Sequence, residues 1–127
     1  MTDITIIIPL PPVTKKNSPR ILRSGHRPIV APSKAFEEYQ NAAGFFIGAN
    51  KGLKIAERVN VKCIYYMPTR RKVDLGNLIS ASLDILVYYG VLADDNSKIA
   101  AGHDGSRVKY DKSFPRAEIT ISEITEE

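Results

Sequence analysis

An α/β (α+β) fold in one small domain is what this sequence predicts, with a mixed β-sheet, two main helices and the order β-α-β-α-β-β. Three features point there. Two segments repeat apolar residues at helical spacing, several short segments are β-branched or alternating between turn residues, and the two kinds interleave along the chain. The 127 residues suit a single domain over 1–127, and a hydrophobic fraction of 43% is enough to fill a core.

Ile4 to Ile8 form a first strand, ended by Pro9, Pro11 and Pro12. Residues 9–32 are rich in Pro, Lys, Arg, Ser and Gly and predict a long surface loop with a short hairpin around Ser24-Gly25. Ser33 suits a helix N-cap, and Phe36, Tyr39, Ala43 and Phe46 recur at helical spacing to about Ile47, before Gly48 and Gly52. Val59 to Tyr66 alternate as a strand closed by Met67-Pro68. A second helix runs from Asp74 to about Tyr89, where Gly90 stops it. Ile99–Ala101 and Val108–Tyr110 are short strands about the turn Asp104-Gly105, and Arg116–Ile121 is the last strand.

No segment approaches the ~20 apolar residues of a membrane span. Cys63 is the sole cysteine, which excludes an internal disulfide and a cysteine zinc cage. The N-terminal MTDITIII places an acid before its apolar run and does not read as an export signal, so the cytoplasm is the expected location. The formal net charge of +4 is compatible with a polyanionic partner. Its distribution says more than its size: bases gather at 15–27 and 70–72, acids at Asp74, Asp84, Asp94 and Asp95.

The acids are the chemical signal. At 100° per residue Asp74, Asn77, Ala81, Asp84 and Tyr88 share an arc of roughly 80°, a small-and-polar stripe, while the leucines and isoleucines face a core. After Gly90 a short return brings Asp94, Asp95 and Asn96. Mg²⁺ takes hard oxygen ligands, often one or two carboxylates with phosphate oxygens and waters, and it offsets the repulsion of gathered carboxylates. The same residues also suit structural roles: Asp74 as a helix N-cap, Asp94 to Asn96 as turn residues, and Asp84 as a solvated helix position.

The series M-P-x-R-R-x-x-D-L-x-N-L from Met67 to Leu78, then Asp84, then G-V-L-x-D-D from Gly90 to Asp95, resembles the RusA family of Holliday junction resolvases. The resemblance is densest from Tyr65 to Lys98, and the early strand, basic loop and closing strand match the family layout. It implies a homodimeric, Mg²⁺-dependent endonuclease of phage or prophage type that cuts branched DNA. Asp74 and Asp95 match the family's catalytic, metal-binding aspartates; Asp84 and Asp94 match further acidic positions and join the expected metal set. Two positions depart: the second aspartate of D-x-D-N is Gly76, and a lysine after it is Ser80. Asp84 or Asp94 can replace the ligand, and Lys98, Arg107 or Lys112 the cation. Alternatives are a branched-DNA-binding protein without catalysis, and a nuclease for flaps.

Lys15, Lys16 and Arg20 in the first loop, Arg70, Arg71 and Lys72 before Asp74, and Lys98 and Arg107 are the expected DNA-binding residues. A solvated basic loop is the plainer reading of the first group. His103 can be a base or a ligand, but a lone turn histidine more often has a structural role.

Overall fold

The computed structural model describes residues 2–15, 20–25, 27–31 and 33–125. Strand β1 (Ile4–Ile8) pairs antiparallel with the final strand β7 (Arg116–Glu123), which pairs antiparallel with β4 (Val59–Met67). The free edge of β4 carries two short parallel partners, β5 (Ala100–Gly102) near its start and β6 (Arg107–Tyr110) near its end. Parallel pairing requires a crossover, and helix α2 (Leu75–Tyr88) supplies it between β4 and β5. The result is a mixed five-stranded sheet with two helices, as expected for α+β.

The long N-terminal segment holds more regular structure than a loop. Its hairpin is two five-residue strands, β2 (Arg20–Ser24) and β3 (Arg27–Ala31), in a sheet of their own. Gly25 makes the turn at φ +64°, a conformation that glycine adopts without steric cost. Helix α1 (Lys34–Ile47) follows, with Ser33 Oγ accepting the Phe36 N–H at 3.1 Å as N-cap.

Alternation sorts the sheet into two faces. Ile6, Ile8, Val61, Cys63, Tyr65, Ala117, Ile119 and Ile121 are buried on one face with the helices. Tyr65 reaches Ser82 of α2 through a buried 2.7 Å hydrogen bond, satisfying both hydroxyls. Burial pushes the Cys63 thiol up to about 11, so it stays a neutral, inert core residue near neutral pH. The opposite face is open. There Arg116 stacks 3.7 Å over Tyr66 and bonds Glu118 and Asp111.

Gly44 in α1 has a packing reason. A Cβ there would meet the Tyr89 ring at 2.5 Å, and the Tyr89 hydroxyl donates to the Gln40 carbonyl at 2.6 Å. That contact locks the end of α2 against α1. Among the described residues no helix is long and apolar enough to cross a membrane.

Candidate active site

Pro68 and the bases after β4 lead into α2, and Asp74 is the residue that starts it. Its backbone is extended (φ −85°, ψ 116°) and Oδ1 accepts the Asn77 N–H at 3.1 Å. The N-cap role and an outward-facing carboxylate coexist, because one bond leaves further lone pairs to offer. Asp74 lines a cleft of about 660 Å³ with Thr14, Thr69, Arg71, Lys72 and Asn77. A Cβ on Gly76 would sit 3.1 Å from Asp74 Oδ1, so glycine here leaves space beside the carboxylate.

Asp84 lies near the other end of α2. Its Oδ2 is 2.6 Å from the Lys15 ammonium, a contact between residues 69 apart in sequence. Asp84 and Asp95 line a second cleft of about 660 Å³, with Lys15, Glu37, Gln40 and Tyr88 among its walls. Asp95 is held there by the return after α2. Val91 and Leu92 are fully buried, and Lys54, Ile55 and Ala93 exchange backbone hydrogen bonds with the facing segment, Ile55 N–H to Val91 O at 3.0 Å among them. Asp94 is exposed and bonds within its own loop: its oxygens accept the Asp95 N–H at 2.7 Å and the Asn96 amide at 3.2 Å. The Asp95 N–H, then the Asn96 amide, hold the Asp94 carboxyl below the usual carboxylate range.

The expected stripe along α2 is therefore divided. Ala81, in its middle, is 1% exposed, and Leu83 is also buried, so the core wraps the helix there. What remains open is one polar end with Asp74 and Asn77, and another with Asp84 and Tyr88. Ten residues of helix separate Asp74 from Asp84 by about 15 Å, far more than two ~2 Å ligand bonds can span. Among the described residues, no three His, Cys, Asp or Glu side chains gather as a metal cage. The donor chemistry still fits a hard cation at the Asp84–Asp95 cleft. Three carboxylates, Glu37, Asp84 and Asp95, line it with Gln40 and Asn41, and Mg²⁺ often takes only one or two protein carboxylates.

Of the other expected residues, Lys16 lies outside the described residues, and Arg20 opens β2. Arg70, Arg71 and Lys72 are exposed in the segment leading to Asp74; Lys98, three residues after Asp95, and Arg107, which opens β6, are exposed as well. His103 Nδ1 lies 3.1 Å from the Val61 carbonyl, which only an Nδ1–H can satisfy as donor. Sequence reasoning did not pair Lys15 with an acid, and it did not assign Glu37, Gln40 and Asn41 to a site. Their i, i+3, i+4 spacing on α1 was the readable sign.

This layout, acids at both ends of the crossover helix and bases before it, lies inside a single family match. Residues 9–122 match the family Endodeoxyribonuclease RusA. The chain belongs to this family. Both clefts and all four aspartates lie within the matched residues. No curated protein matches the sequence. Gly76 and Ser80, the two positions expected from the resemblance to depart from the motif of the RusA family, are both exposed on α2.

Proposed function

We propose that this RusA-family protein is a Mg²⁺-dependent, structure-specific endonuclease that resolves four-way DNA junctions as a homodimer in the cytoplasm. The observation that carries the reading is the presence of Asp84 and Asp95 together in a cleft reached by a lysine, with a second cleft that sets Asp74 beside Arg71 and Lys72. Asp95 and Asp84 would hold the ion, and Asp74 would act from the other cleft on the same strand. When bound, Mg²⁺ lowers the pKa of a water and polarises phosphoryl oxygens. Lys15 partly neutralises Asp84, which lowers the repulsion that a phosphate meets on entering. Arg71 and Lys72 supply positive charge at the mouth of the Asp74 cleft, and Arg can grip a phosphate with two N–H groups at once.

A second reading has one specific support, the division of the carboxylates between two clefts together with Gly76: a branched-DNA-binding protein without catalysis. The deciding experiment compares synthetic four-way junction, flap and plain duplex, each with Mg²⁺ and with EDTA. Symmetric nicks in the junction with Mg²⁺ alone are the expected result. Junction binding with no nick in Mg²⁺ or Mn²⁺ would establish the second reading, and preferential flap cutting would reassign the substrate.

A further inference from the structure

Tyr110 ends strand β6 and is 39% exposed, although tyrosines at strand ends can pack inward. The Arg70 guanidinium lies 4.2 Å from its ring centroid. Around the pair is a shallow hollow of about 270 Å³ lined by Thr69, Arg70, Arg71, Val108, Lys109 and Tyr110. Thr69 and Arg71 also line the Asp74 cleft, so one surface runs continuously from that carboxylate to the Tyr110 ring.

A second cation–aromatic stack, that of Arg116, shows what differs. Arg116, over Tyr66, is bonded to Asp111 at 3.0 Å and Glu118 at 2.6 Å, and its side chain is 15% exposed. Its charge is matched and its role is to hold the open sheet face together. Arg70 is exposed, and among the described residues neither it nor Arg71 or Lys109 forms an ion pair. Excess positive charge around a ring, with Val108 giving an apolar wall, suits a ligand with phosphate and a flat π face. A cation–π contact holds the guanidinium flat while its N–H edge stays free for phosphate. The outer stack can then accept a base.

We propose that this hollow binds an unpaired nucleotide of the DNA substrate, its base stacked on the Tyr110–Arg70 pair as the strand leaves the Asp74 cleft. The inference rests on the nuclease reading above and adds the path of one strand. Bases at a branch point are exposed to such stacking, whereas those inside a duplex are not.

Binding is measured in EDTA, so that no cutting interferes, with a short labelled single strand and the matching duplex as probes. Tyr110→Ala and Tyr110→Leu should each weaken single-strand binding by roughly 5- to 150-fold, the range for loss of one base–aromatic stack. Duplex binding and the salt slope should stay unchanged, and Tyr110→Phe should bind as the wild type does. A 2-aminopurine placed in the strand should be quenched by wild-type protein and not by the Leu variant. Single-strand affinity retained in Tyr110→Leu overturns the proposal and leaves the nuclease reading intact. Equal losses for both probes with a flattened salt slope also overturn it, marking a phosphate contact only. Wild-type protein that binds a four-way junction but not the single strand overturns this inference alone, and wild-type protein that binds no DNA, junction included, overturns the nuclease reading with it.

Discussion

Lys15 and Asp84 meet at 2.6 Å with side chains 34% and 39% exposed, a pair that water screens. Such a pair adds only about 0.2–1 kcal/mol to stability. Its consequence lies in the cleft, where the ammonium competes with any divalent ion for Asp84. Lys15→Met should therefore tighten Mn²⁺ binding measured by calorimetry, lower the Mg²⁺ needed for nicking, and change stability by less than ~1 kcal/mol. Unchanged metal affinity would return Lys15 to the plain DNA-contact role expected of its loop. The two catalytic assignments test separately. Asp95→Asn and Asp74→Asn should each abolish nicking, with junction binding equal or tighter because a negative charge is gone. Near-normal nicking by either variant removes that residue from the site. Asp94→Asn should behave differently: an amide still accepts the Asp95 N–H, so folding and binding persist with partial activity.

Helix α2 shows how far an element could be read in advance. Its N-cap at Asp74, its stop at Gly90 and its core residues Leu78, Ile85 and Leu86 followed from spacing and cap chemistry, because those signals are local. The division of its polar stripe did not follow. Ala81 is small enough for either surface or core, and only the packing of β4 against α2 decides. The Lys15–Asp84 contact was illegible for a related reason: nothing local links a residue in the loop after β1 to one in α2. The same helix carries the test of the departure at Gly76. Gly76→Asp should gain roughly 1 kcal/mol of helix propensity and a favourable N-terminal charge. The new Cβ would lie 3.1 Å from Asp74 Oδ1, and two carboxylates would then repel, so net stability should change little. The variant should acquire a tighter metal site at the Asp74 cleft by calorimetry; loss of metal affinity would show that Gly76 keeps needed space. The β6–β7 connection offers a pH test. Asp111 accepts the Ser113 and Phe114 N–H groups at 3.1 Å and the Arg116 guanidinium at 3.0 Å; the Phe114 N–H, then Arg116, hold its carboxyl below the usual range. A depressed folded pKa contributes stability that is complete above the unfolded value and is lost as pH falls through the folded one. Asp111→Asn should thus be less stable than wild type at neutral pH, with the difference closing below about pH 4. A gap that persists at low pH would refute the charge's part.

At the scale of the whole molecule, one copy presents one Asp84–Asp95 cleft, whereas a four-way junction has two equivalent strands to cut. Two-fold substrate symmetry is met most simply by a two-fold dimer. The surface beside the cleft is unusual for a lone copy. Phe45 is 84% exposed and Tyr88 63%, with Phe46 38% exposed in edge contact with Phe45 at 5.3 Å. Clustered exposed aromatics of this kind mark interaction surfaces more often than random exposure. Asn41 and Tyr88 both line the cleft, and Phe45 is one helical turn beyond Asn41, so this apolar rim is continuous with the site. A second copy seated here would hold two clefts in fixed relation and shield them from water. Phe45→Glu is the test, since an exposed side chain can change without disturbing the core. Sedimentation equilibrium should show the wild type as a dimer and the variant shifted to monomer, with its melting behaviour retained at high protein concentration. On a junction, the monomeric variant should make single, uncoupled nicks at a reduced rate, because each strand must then be cut by a separate encounter. A wild type that sediments as a monomer while still cutting both strands in one binding event would reject the dimer. A variant that stays dimeric would move the interface away from Phe45.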